Sequence, residues 1–207
     1  MRLLCYVIFE LLMQYTQTEM QAELDAANAR AMELISLAEG LFGKMCSPWK
    51  YSGVFFHDHP PHLYYSFDTT KVQIALSFRS FNDEFQRDFQ LAHEICHLLY
   101  PAVEPDYPVE PETNVINEGI STYFSVLVVA AFHGEDAAKV AIDSLATHSP
   151  RYCFAFQQVL ALITKDRDAI KRIREIQPMI NKLSKVDLLE SGIALSDEDI
   201  NALLAVC

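Results

Sequence analysis

The sequence holds no C-x-x-C pair, no basic stripe, no internal repeat and no low-complexity segment. Each absence removes a class of protein. Five cysteines (Cys5, Cys46, Cys96, Cys153 and Cys207) make an odd number without paired spacing. They are expected to be free, buried thiols in a reducing compartment, with no disulfide framework and no cysteine-held zinc. Lys and Arg number 16 against 28 Asp and Glu, a formal net charge of −12. Nothing in that balance can meet a phosphate backbone, so nucleic acid is not expected as a partner. Nor is a membrane span expected. The run LLCYVIFELLM after Met1-Arg2 is broken by Glu10, and the apolar run from Val115 to Ala131 is short and begins with polar residues. The first run also lacks a small-x-small cleavage site, so it reads as an amphipathic helix in a cytoplasmic protein, with a secretory leader as the alternative.

What is present is enough for a core. Half of the 207 residues are hydrophobic, which suits one globular domain. A helix is expected over Thr18 to Phe42. Thr18 and Gln21 would form its capping box, Leu24, Ala27, Ala31, Leu34 and Leu37 its apolar face, and Gly40 and Gly43 its end. Three stretches rich in aromatic and β-branched residues follow, Tyr51–Phe56, Leu63–Phe67 and Val72–Phe78, with a turn at Asp68-Thr69-Thr70-Lys71. After Gly134 helices are expected over Glu135–Thr147, Arg151–Thr164, Arg167–Ile176, Met179–Leu189 and Asp197–Val206.

The chemistry concentrates between these halves. His93-Glu94-Ile95-Cys96-His97 lies in a stretch with N-cap residues Asn82 and Asp83 before it and Pro101 after it. Phe85, Phe89, Ala92, Cys96 and Leu99 form an apolar stripe, and Leu91, Ile95 and Leu98 another. A helix apolar on several faces is buried, and two histidines within it need a partner. Residues i and i+4 share a helix face, so His93 and His97 can aim at one metal ion. Glu94 sits about 100° away, where a carboxylate can touch a metal-bound water rather than the metal. Val115 to Ala131 is long enough to be a second buried helix, stopped at His133-Gly134. Glu118 near its start is either the third metal ligand or a helix-start acid favoured by the macrodipole. The cluster His57, Asp58, His59 and His62 in a Pro60-Pro61 loop reads as a solvated turn, and the acidic Pro101–Thr113 segment as a solvated loop at a site's rim.

HEICH with NEGISTYFS resembles the gluzincin zinc metallopeptidases, and the second block is most similar to the NEGxAxYF segment of the zinc aminopeptidases. Asn117, Glu118, Gly119, Tyr123 and Phe124 match position by position, and Ser121 replaces the alanine. The resemblance covers about residues 80 to 132. It implies a zincin-like α+β fold: a small sheet, an active-site helix and a helical C-terminal half. The parts would be 1–48 (N-terminal helices), 49–133 (sheet and zinc site) and 134–207 (helical). It also implies Zn2+ held by His93, His97 and Glu118, with Glu94 as the catalytic base of peptide-bond hydrolysis through a zinc-activated water. The substrate would be a peptide or protein; no feature fixes an oligomeric state. Where thermolysin-like enzymes carry an aspartate that orients the first histidine, this sequence has Thr122. The amine-binding Gly-x-Met-Glu-Asn string is missing. No aromatic or histidine stands about sixty residues past Glu118, which leaves His148 and Tyr152 as candidates to stabilise the oxyanion, alongside Asn117, Thr122 and Tyr123 as supporting residues. The alternative reading is a zinc-binding regulatory or scaffold protein without catalysis.

Overall fold

The computed structural model describes residues 16–107, 109 and 111–207, and the expected N-terminal amphipathic helix lies outside them. The fold is α+β. Among the described residues there are eight α-helices and a three-stranded mixed sheet, and the sheet packs on the helices Gln17–Phe42 and Glu84–Leu99. Helix α1 is Gln17–Phe42, α2 Glu84–Leu99, α3 Val115–His133, α4 Glu135–His148, α5 Pro150–Lys165, α6 Ala169–Ile176, α7 Lys185–Glu190 and α8 Asp197–Leu204. The strands are β1 Lys50–His57, β2 His62–Ser66 and β3 Lys71–Ser77.

Helix α1 starts earlier than its sequence suggests. Thr16, not Thr18, is the N-cap, and its capping-box partner is Glu19. A carboxylate accepts from the cap's backbone N–H more strongly than an amide does, which favours the earlier frame. The buried face is Ala27, Ala31, Leu34 and Ala38, and Leu37 is exposed. Ala38 lies eleven residues after Ala27, about 20° around the helix, whereas Leu37 lies about 80° off that line. Gly40 stays inside the helix and Gly43 caps it.

The sheet order is β1-β3-β2. β3 runs parallel to β1 and antiparallel to β2, so it is central and flanked on both sides over Lys71–Ala75, while Leu76 and Ser77 pair with β1 alone. The edge strand beside α2 is β2, a short antiparallel strand.

The two central helices are fixed by caps and by buried polar ties. Asp83 caps α2 by accepting from the Gln86 N–H, and Asn114 caps α3 by accepting from the Asn117 N–H. Asp88 of α2, 1% exposed, accepts from Arg30 Nε and Nη2 of α1 at 2.9 and 2.8 Å and meets His133 Nε2 of α3 at 2.8 Å. One carboxylate thus pins three helices. By length and composition α3 could cross a membrane, yet 72% of its most apolar window is buried inside the protein. Asn117, Glu118, Ser121, Thr122 and Ser125 lie among those buried residues.

The C-terminal half is helical, with one break in an expected helix. Met179–Leu189 divides into a 3-10 turn, Ile180–Lys182, and α7, because Ser184 caps a new start with Asp187 in a capping box. Helix α8 begins at the Ser196 cap as its acidic start implies. Pro150 stands in the first turn of α5, where its missing N–H costs nothing. The four described cysteines are free, but only Cys96 and Cys153 are buried; Cys46 is exposed and Cys207 half-buried.

Candidate metal centre

Helix α2 brings His93 and His97 to one face, and α3 packs across it with Glu118 in its first turn. The two Nε2 atoms are 3.2 Å apart. Glu118 Oε2 is 3.4 Å from His93 Nε2 and 3.6 Å from His97 Nε2. These three side chains could hold one metal ion, and they form the one such group of three among the described residues. The spacing discriminates between two explanations. Charge-assisted N–H···O bonds run about 2.7–2.9 Å, so a mere hydrogen-bonded His–Glu cluster would be tighter. Zinc bonds of about 2.0–2.2 Å in a tetrahedron place their donors roughly 3.3–3.5 Å apart. Glu118 is 6% exposed and its Oε2 has no hydrogen-bond partner. The groups within reach of that oxygen are the two imidazoles, and a buried carboxylate there is costly unless an imidazolium or a metal ion meets it.

Electrostatically the three groups hold one another as an ion-paired cluster. Burial works to raise the Glu118 carboxyl, but the imidazoles of His97 and His93 overcome it and hold the group well below the usual carboxylate range. Burial likewise works to lower His97; Glu118, its first opponent, wins and holds the ring at about 9, with Glu94 and Asn117 adding to the effect. Glu94 is buried at 4% exposure, and burial pushes its carboxyl up, against the pull of the two imidazoles. It lies outside the group of three donors and lines the cleft above them.

That cleft is a cavity of about 180 Å³. Beta strand β2 supplies His62, Leu63 and Tyr65 to its wall, and the loop between α2 and α3 supplies Ala102 and Thr113. Tyr152, in the first turn of α5, completes it, with its ring edge-on to that of His93 at 5.8 Å between centroids. Burial raises the Tyr152 phenol, and Glu118 adds to that shift. The phenol is therefore a proton-bearing donor at neutral pH, and at 39% exposure it is open to a ligand.

The other expected supporting residues divide. Asn117 is buried next to His97. Thr122 lies beneath the site at 1% exposure, but its Oγ1 has no hydrogen-bond partner, so it does not orient His93 through one. Replacing Thr122 with valine is therefore expected to keep or slightly raise stability, by roughly 1 kcal/mol, as read in chemical denaturation. Tyr123 is not at the site. It sits five residues after Glu118, about 140° around the helix, and stacks on Phe156 at 6.4 Å. His148 ends α4 as an exposed residue and does not line the cleft.

Two residues escaped sequence reasoning. His62 is exposed, as the solvated-turn reading of Asp58, His59 and His62 expects. His62 itself opens β2 at the cleft wall, its ring perpendicular to that of half-buried His57 at 4.8 Å. Only the pairing of β2 with β3 reveals this. Gly119 is the second. A Cβ there would lie 2.4 Å from the Ala155 carbonyl oxygen and 2.5 Å from Val159 Cγ2. The missing side chain is what lets α5 approach α3 and carry Tyr152 to the cleft. Gly119→Ala is expected to destabilise by about 1–3 kcal/mol or more, seen as a lower denaturation midpoint, because backbone cannot yield as a side chain can.

Compared with protein-family models, curated proteins and solved structures, the chain matches none.

Proposed function

We propose that this protein is a zinc-dependent peptidase of the gluzincin kind with a zincin-like fold. The observation that supports the reading is the triangle of His93, His97 and Glu118, whose donor atoms lie 3.2–3.6 Å apart beneath an open cleft. Those three residues would hold the ion. When bound, it supplies a Lewis acid that polarises a carbonyl oxygen and makes water more acidic. Glu94, beside the donors but not among them, takes a proton from the attacking water and passes it to the leaving amine. Tyr152 donates a hydrogen bond to the carbonyl oxygen as negative charge develops there. An extended peptide adds along the outer edge of β2, where main-chain pairing holds it across the cleft. The substrate is a peptide or protein, and the net charge of −12 opposes any polyanion.

The role of Tyr152 has a direct test. Tyr152→Phe keeps the ring packing against His93 and removes only the donor. Turnover of a peptide substrate is expected to fall about 10²-fold or more, mainly in kcat, with zinc content unchanged. A normal kcat would remove Tyr152 from the reaction.

A further inference from the structure

The cleft does not end at the three donors. Gln86, Gln90, His93 and His97 stand at i, i+4, i+7 and i+11 on α2, so they share one face of that helix. Cavity space follows this face. The metal-facing part touches His93 and His97, a middle part Gln90 and His93, and a far part Gln86 and Gln90. Pro61 borders all three.

The far part holds about 610 Å³ and carries a cation, Arg79. Arg30, Arg87 and Arg172 each meet a carboxylate at 2.6–2.8 Å. Arg79 is exposed and has no hydrogen bond or ion pair among the described residues. Beside it the half-buried Gln86 has an amide that is equally uncommitted among them. Asp58, the one carboxylate in the lining, lies 3.5 Å from His59 Nε2. The base under Arg79 is fixed. It belongs to the 3-10 turn Phe78–Ser80, where the Ser80 hydroxyl donates to the Ser77 carbonyl at 2.7 Å. Gln90 clasps Ser77 from α2, accepting from its N–H at 3.0 Å and donating to its Oγ at 2.8 Å. A guanidinium stays charged at any working pH, and its fork matches a carboxylate.

Gln86 precedes His93 by seven positions, about 10 Å along the helix. An extended peptide rises about 3.3 Å per residue, so it covers that span in about three residues. β2 runs from His62, near this groove, to Ser66. A peptide added antiparallel to β2, the more stable pairing, sends its C-terminal side towards Arg79.

We infer that the far groove binds a carboxylate of the substrate about three residues to the C-terminal side of the cleaved bond, with Arg79 as its specificity-determining residue and Gln86 as a second donor. The inference rests on the peptidase reading above. The carboxylate is either an Asp or Glu side chain or the end of a short peptide.

The test uses the zinc-loaded full chain and quenched peptides whose cleavage site is read by mass spectrometry. One pair carries Glu or Gln at the third residue past the cleaved bond; a second pair ends there as a free acid or an amide. The carboxylate-bearing member of at least one pair is expected to be cleaved about 5- to 10-fold more efficiently, through KM. A gain in the first pair identifies a side chain as the source, and a gain in the second the chain end. Arg79→Met is expected to abolish the gain and to cleave the Gln and amide peptides as before. Arg79→Glu is expected to favour Lys at the same position. Equal efficiency within both pairs on the wild type would overturn the inference and leave the peptidase reading standing. So would a gain that survives Arg79→Met. A zinc-loaded wild type that cleaves none of the peptides would instead remove the peptidase reading, and this inference with it.

Discussion

Glu94→Gln is expected to lower peptide hydrolysis by about 10²–10⁴-fold while the protein retains its zinc. The two halves of that outcome have separate causes. Zinc retention follows because the donors are His93, His97 and Glu118, and Glu94 is outside that group. The loss of rate follows because an amide has nearly the shape of a carboxylate but cannot take the proton from water. The variant should also fold normally, since Glu94 makes no ion pair within reach of a cationic side chain other than the site imidazoles. Elemental analysis and a single-turnover assay on the same preparation read both halves. Loss of zinc together with activity would mean that Glu94 binds the metal, and retained turnover would remove it as the base.

The largest expected loss of stability lies far from the chemistry. Arg174 on α6 is 6% exposed, and its donors meet carbonyl oxygens rather than a carboxylate. Nη1 donates to Phe42 and Gly43 at 2.9 and 2.8 Å, Nη2 to Lys44 at 2.7 Å and Leu99 at 3.4 Å, and Nε to Pro178 at 3.2 Å. The guanidinium also lies over the Tyr100 ring at 5.0 Å. It thereby closes the C-terminal ends of α1 and of the metal helix α2, where unpaired carbonyls and the helix dipoles favour a cation. Burial pulls its pKa down, but an arginine has ample room to stay charged. Arg174→Met removes the donors and strands several carbonyls in the interior. Hydrogen bonds to charged groups contribute about 1.5–3 kcal/mol each, so a loss of about 3 kcal/mol or more is expected. For a chain of this size that is roughly a 10 °C drop in the melting temperature. Zinc affinity should fall too, because the last turn of α2 loses its anchor two residues beyond His97. A change below 1 kcal/mol would mean that water replaces the guanidinium.

Much of this was legible along the chain, and the exceptions share a cause. The cap at Asp83 is local chemistry, and it stands where the sequence implies. That His93, His97 and Glu118 come together was legible because two lie one helical turn apart and the third begins a helix with an acid in an otherwise apolar stretch. The three strands were legible to within a residue or so at each end. Their order was not. A parallel β1–β3 pair with β2 outside it depends on contacts across the fold that no local pattern encodes. Tyr123 and Tyr152 show the same limit. Tyr123 is close to Glu118 in sequence and faces away from it, whereas Tyr152 reaches the cleft only because Gly119 lets α5 settle against α3. The break at Ser184 went unread because a capping box competes with helix continuation on nearly equal terms.

The central claim is that His93, His97 and Glu118 hold one zinc ion. Zinc per chain, measured by elemental analysis on the wild type and on Glu118→Ala after both have been offered zinc and dialysed, tests it most directly. About one zinc in the wild type and a clear loss in the variant is the expected result. No zinc in the wild type, or equal zinc in both proteins, would contradict it.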